Sequence, residues 1–268
     1  MILESIGLLS LGIAVGIFGA LVGVGGGLIL VPIFTFFCLA PNGATFETVQ
    51  QVIATSLFVV FLNSLSGAAA FVRQKRVMFR AGIPFALATL PGALLGSYFT
   101  GYFNGSSFSL FFGSMMAMLG VWTYLNSRSK KAVASAVNFD PATAPFNLWL
   151  GVALSLGVGF LSSMLGIGGG IVQVPMMIFL LGFPPQVAAA TSTFILAICA
   201  AAGVAGHIAL DHIVWIPAIA VGIGAMAGAQ IGAKIASKSR PRIIVVVLSV
   251  AMMLVSLKFL WQGLQPYL

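Results

Sequence analysis

Gly23-Val24-Gly25-Gly26-Gly27-Leu28-Ile29-Leu30-Val31-Pro32 and Gly166-Ile167-Gly168-Gly169-Gly170-Ile171-Val172-Gln173-Val174-Pro175 are the stretches that decide the fold. Six of their ten positions are identical, at a constant offset of 143. The first cluster interrupts an apolar run over 3–40, too long for one membrane span. Beyond its glycines, residues 27–40 supply about 21 Å of helix at ~1.5 Å per residue, against a hydrocarbon core of roughly 30 Å. Residues 170–182, after the second cluster, are shorter still. Each pair of segments therefore reads as a broken or re-entrant hairpin whose glycine turn stops inside the membrane. Irregular backbone at that depth is tolerated only where protein buries it or where it lines a wet cavity.

Outward from the clusters the same character continues. Apolar residues make up 60% of the chain and charged residues 6%, whereas a soluble domain carries about 25% charged residues. Apolar segments fall at 3–22, 27–40, 48–72, 79–103 and 106–125, and again at 146–165, 170–182, 186–208, 213–235 and 241–264. The expected fold class is an all-α polytopic membrane protein. It divides into a first half, 1–125, a polar linker, 126–145, and a second half, 146–268. A second echo supports duplication: Gln50, Ala54, Thr55, Ser56, Phe58 and Gly67 recur as Gln186, Ala190, Thr191, Ser192, Phe194 and Gly203, offset by 136. The N-terminus lacks a basic n-region and carries Glu4, so no cleaved signal peptide is expected.

A formal charge of +8 would suggest nucleic acid in a soluble protein, but here the basic residues sit in short loops and report topology. Arg73, Lys75, Arg76 and Arg80, then Arg128, Lys130 and Lys131, then Lys234, Lys238, Arg240 and Arg242 all face the cytoplasm under one sidedness of the membrane. Lys258 is the exception, placed to snorkel outward. Equivalent loops then face opposite sides, so the halves are two inverted repeats of about five segments each, as in many secondary transporters. Both termini are expected outside the cytoplasm.

Inversion brings the hairpins in from opposite faces, so their turns can meet near the midplane. Gly25, Gly26 and Gly27, with Gly168, Gly169 and Gly170, would there offer backbone N–H groups at helix starts, which suit an anion. Tight helix packing is the competing role of such glycines. Pro32 and Pro175 mark the broken helices. Thr55, Ser56, Thr191, Ser192, Gln50, Gln186 and Gln173 are candidates to complete an anion's hydrogen bonds. A membrane-helix hydroxyl can equally bond its own backbone. Gln173 stands opposite Leu30 and would make the site asymmetric; Asn63 could equally be a helix–helix hydrogen-bonding residue.

His207 and His212 flank Asp211 near an outer loop, where a proton-carrying or pH-sensing role competes with that of a solvated loop histidine. Cys38 and Cys199 lack metal spacing and read as small core residues. Glu4, Glu47, Asp140 and Asp211 all fall at segment ends or in the linker. That disfavours a cation carrier or a carboxylate proton relay, which place an ionisable group at depth. No nucleophile with its base and no cofactor motif is present; the glycine clusters lack the strand context of a nucleotide fingerprint.

The paired Gly-x-Gly-Gly-Gly-x-x-x-x-Pro elements at 23–32 and 166–175, with Ala-Thr-Ser at 54–56 and 190–192, resemble the sulfite exporter TauE/SafE family over essentially the whole chain. The resemblance implies a bacterial or archaeal-type inner-membrane permease for sulfite, sulfoacetate and related organosulfonates, with a proton as coupling ion. The expected function is a secondary exporter of small sulfur-containing anions. An importer or a channel for small anions is the alternative. Arg73, Arg76 and Arg80 would raise the local anion concentration at the cytoplasmic mouth.

Overall fold

The computed structural model describes residues 2–39, 45–102, 105–127 and 146–264. Most of the linker, with Arg128, Lys130, Lys131 and Asp140, lies outside the described residues. Among those described, the chain forms α1 (Ile2–Val22), α2 (Gly27–Ile33), α3 (Val49–Arg73), α4 (Phe79–Phe99), α5 (Gly105–Ser127), α6 (Leu148–Leu165), α7 (Gly170–Phe179), α8 (Pro185–Ala209), α9 (Trp215–Lys238) and α10 (Pro241–Leu264). No strand forms among them. Seven of these helices are long and apolar enough to cross a membrane.

Local chemistry sets the helix starts. Thr48 Oγ1 accepts from Gln51 N at 3.3 Å, and Asn147 Oδ1 accepts from Leu150 N at 3.0 Å. Each side chain satisfies an N–H that the first helical turn leaves without a carbonyl. Pro185 and Pro241 occupy first helical positions, where a missing N–H costs nothing. Large apolar side chains such as Leu87, Leu95, Ile216 and Leu257 remain exposed, as they must when the surrounding medium is lipid rather than water.

The two short helices end before the segments read from the sequence, which ran to 40 and 182. Pro32 lies inside α2, which passes into a π-helical turn, Phe34–Cys38. Pro175 lies inside α7. Their helical lengths, about 18 and 15 Å at ~1.5 Å per residue, fall well short of a bilayer core. Lys258 of α10 sits 4.6 Å from the Phe36 ring centroid and 5.5 Å from that of Phe37. This one basic residue away from the cationic loops thus meets the π-helical turn face-on.

α3 and α8 are the most buried of the long helices. They run antiparallel: the Cβ position of Gly67 lies 3.1 Å from Thr193 Cγ2, and that of Gly203 lies 2.7 Å from Leu57 Cδ2. Around them the packing repeats in matched pairs. α1 packs along α9 as α6 packs along α4, while α5 pairs with α10. In the α1–α9 seam the carbonyls of Leu9, Ile13 and Ile17 press on Gly224, Gly228 and Gly232. In the α4–α6 seam the carbonyls of Leu156 and Phe160 press on Gly92 and Gly96. Lipid tails are as apolar as leucine, so such close backbone approach supplies the dispersion contact that holds membrane helices together.

Chain direction follows from these contacts. α3 runs parallel to α9: Val214 N donates to Thr55 Oγ1 at 3.1 Å near their starts, and Ser66 Oγ donates to Met226 O at 2.8 Å further on. The α3–α4 and α9–α10 joins, which hold Arg73–Arg80 and Lys234–Arg242, therefore lie at one end of the bundle. The α8–α9 join, with Asp211 and His212, lies at the other.

Candidate functional site: two glycine turns in contact

Gly26 (φ 89°) and Gly169 (φ 64°) cap α2 and α7 in the left-handed conformation. A side chain there would cost roughly 1–2 kcal/mol in backbone strain alone. Gly23, Gly25, Gly166 and Gly168 also have positive φ, so each turn coils left-handed before the next helix begins. In the first turn the N–H groups of Gly23, Val24 and Gly25 converge on Gly19 O, at 2.9, 2.9 and 3.3 Å. Ile29 N and Leu30 N then reach Gly26 O, at 3.1 and 3.2 Å. Val172 N and Gln173 N reach Gly169 O in the same way, both at 3.0 Å.

The two turns touch. The Cβ position of Gly27 lies 2.6 Å from Ile167 Cα, and that of Gly170 lies 2.6 Å from Val24 Cα. Each is also clasped from the opposite half. Ser56 Oγ donates to Gly166 O at 3.0 Å, and Ser192 Oγ donates to Gly23 O at 2.9 Å. Val60 of α3 and Leu196 of α8, equivalent residues of the repeat, pack against Gly25 and Gly168. These two side chains lie against both turns.

The other candidates are placed as follows. Thr191 Oγ1 accepts from Met78 N at 3.0 Å, capping α4, as Thr55 Oγ1 accepts from Val214 N to cap α9. Gln50 Nε2 donates to Thr100 O at 3.3 Å, and Gln186 Nε2 donates to Ser239 O at 3.0 Å. Both glutamines thus tie down the ends of α4 and α9 rather than facing a turn. Arg73 and Arg80 are exposed at the basic end and Arg76 is half-buried, none of them near the glycines. Gln173 is fully buried on the first turn of α7; its Nε2 donates to Ser155 Oγ at 3.3 Å and its Oε1 has no partner.

His207 corrects the solvated-loop reading. It is fully buried in the last turn of α8, with Nε2 3.3 Å from Ser163 O and Nδ1 3.4 Å from His212 Nδ1. A carbonyl only accepts, so Nε2 carries the proton; in the neutral ring Nδ1 then accepts from His212 Nδ1–H. Partial burial lowers the pKa of His212, against the opposing pull of Asp211.

Asn63 and Ser64 were not singled out as site residues from sequence. Both are fully buried on α3, and Asn63 Nδ2, Asn63 Oδ1 and Ser64 Oγ all lack hydrogen-bond partners. Ser64 Oγ lies 3.1 Å from the Cβ position of Gly25. The available signal was a break in the repeat, since Asn63 and Ser64 stand where the second half has Cys199 and Ala200. Apolar grooves lie away from the turns. One of about 620 Å³ between α3, α4 and α8 includes Leu65, Val72 and Phe194, and one of about 580 Å³ near the α8–α9 join includes Leu11, Phe46 and Ile216.

Helices of spanning length, lipid-exposed apolar faces and a buried pair of irregular turns define a polytopic α-helical membrane protein. The sequence profile of the family described as Sulfite exporter TauE/SafE matches residues 8–259. The chain belongs to that family of membrane transporters. It is 32% identical over 266 residues to the Probable membrane transporter protein YunE of Bacillus subtilis, covering 96% of this chain and 97% of that protein. A probable membrane transporter protein of Methanocaldococcus jannaschii is 26% identical over 259 residues, 90% of each chain. No solved structure matches the chain.

Proposed function

We propose that this transporter exports small sulfur-containing anions, sulfite or organosulfonates, across a bacterial or archaeal inner membrane. The two glycine turns form the anion site. The observation that carries this reading is the direct contact of two left-handed, fully buried turns at the starts of α2 and α7. First-turn amides such as those of Leu28 and Ile171 come before the intrahelical hydrogen-bond ladder begins, and the partial positive charge of a helix start favours an anion. No side-chain cation is needed for such binding.

In this reading the two halves are inverted in the membrane, with the basic joins in the cytoplasm and both termini outside. The antiparallel run of α3 and α8 supports it, as does the collection of the two described basic joins at one end. Substrate reaches the turns when Val60 and Leu196 part, first toward one side and then toward the other. With the cytoplasm negative, exporting one unit of negative charge gains about 2.3 kcal/mol per 100 mV, so a uniport exporter needs no coupling ion. A proton gradient acting through His207 and His212 is the competing drive.

Purified protein in liposomes should move sulfite and organosulfonates, with a rate that rises with inside-negative voltage in the export direction. Flux that ignores voltage and follows a pH gradient would replace uniport with proton coupling. Absence of anion flux above empty liposomes would remove the function. Gly26→Ala and Gly169→Ala should each lower anion-induced thermal stabilisation of the protein. Unchanged stabilisation in both variants, with both still monodisperse, would take the turns out of the site.

A further inference from the structure

The two turns differ in the chemistry placed beside them, and the difference bears on which form of the anion is bound. Asn63 stands one helical turn beyond Val60 on α3. Its Nδ2 lies 2.6 Å from the Cβ position of Gly19, and Gly26 N borders the same point. Because Gly19 has no side chain, the carboxamide reaches the backbone of the first turn. In the second half Ser162 replaces Gly19 and Cys199 replaces Asn63, so no carboxamide arrives from α8. It comes from α7 itself, as Gln173, where the first half has Leu30.

Two carboxamide oxygens, Asn63 Oδ1 and Gln173 Oε1, are thus fully buried without a donor. A fully ionised sulfonate or a sulfite dianion brings only acceptors. It could satisfy backbone amides and Asn63 Nδ2, but it would set negative oxygen against these carbonyls. A buried acceptor left without its donor weakens binding by roughly tenfold or more. An oxyanion that keeps one acidic proton brings the missing donor.

We propose that the turns take a singly protonated oxyanion, such as hydrogensulfite, and that Asn63 selects it. Nδ2 donates to an ionised oxygen while Oδ1 accepts from the O–H. This rests on the anion-transport reading above and narrows it, ranking sulfite ahead of the fully ionised organosulfonates. The proton travels on the substrate, which fits described carboxylates that stand outside every helix, as Glu47 and Asp211 do, or in the first turn of α1, as Glu4 does.

The protein's own titratable groups on α3 and the elements packed against it are Arg73 of α3, Glu4 of α1, Cys38 of the π-helical turn, Cys199 and His207 of α8, and Lys234 and Lys238 of α9. Methanesulfonate separates their titration from that of the substrate, because it carries no proton across the neutral range. Full-length protein in liposomes should move sulfite at a rate that tracks the hydrogensulfite concentration as pH is varied, and methanesulfonate at least about tenfold more slowly. Asn63→Leu, nearly the same shape, should lose about tenfold in sulfite flux and narrow the gap to methanesulfonate. Its unfolding temperature should hold or rise, since two unpartnered polar atoms have gone.

Sulfite flux that follows the dianion, or methanesulfonate flux with the same pH curve as sulfite, would overturn the proposal. So would an Asn63→Leu protein that unfolds at lower temperature with its selectivity intact, which is the behaviour of a residue that only caps the turn. If no anion moves at all, the transport reading itself fails, and this proposal with it.

Discussion

Thr191 shows how a polar residue in a membrane helix is committed to structure. Its hydroxyl lies in α8 and accepts the N–H of Met78, at the start of a helix from the other half. A helix start exposes N–H groups that lipid cannot solvate, so the hydroxyl does the work that water does in a soluble protein. Thr191→Val keeps the shape and removes the acceptor, leaving a buried amide unsatisfied at a cost of about 1–3 kcal/mol. Thr55→Val does the same to Val214, where the contact is only partly buried, and should cost less. Thermal unfolding in detergent checks the order; equal, negligible shifts would show that neither hydroxyl carries a cap.

At the scale of the helix, glycine position decides between contact and surface. Gly228 and Gly92 face the carbonyls of Ile13 and Leu156 so closely that a Cβ would overlap them. Gly157 of α6 is exposed, and its Cβ position has nothing within 4 Å. Gly157→Ala should therefore stabilise, or at least not harm, by up to about 1 kcal/mol from helix propensity. Gly228→Ala and Gly92→Ala should lower the unfolding temperature and the yield of monodisperse protein, because a methyl group forces the paired helices apart. If all three substitutions behaved alike, close backbone approach would not be what holds the seams.

For the whole molecule, the prediction concerns sidedness. With Cys38 and Cys199 replaced by serine, single cysteines at Lys75 and Lys238 should react with a membrane-impermeant thiol reagent only from the cytoplasmic face. A cysteine at Asp211 should react only from outside. The two basic joins follow α3 and α9, which run parallel, so they must share a face. The α8–α9 join begins where α9 begins and must lie opposite. Labelling of Lys75→Cys and Asp211→Cys from the same face would break the inverted arrangement and the alternating access built on it.

The doubled glycine cluster, the apolar segment lengths and the positions of Lys and Arg were all linear features, and they placed nine of the ten helices within a few residues; α2 ends early, at Ile33, where a π-helical turn takes over. Bilayer thickness and the cost of unsatisfied backbone act on each segment separately, so a single chain records them residue by residue. The roles of the polar residues were not recorded that way. Ser56 and Ser192 reach glycines over a hundred residues away, Gln50 and Gln186 are drawn to helix ends, and Asn63 reaches the first turn only because Gly19 leaves room beside it. Which partner a hydroxyl or amide finds depends on the elements folded against it, and only the tertiary structure decides that.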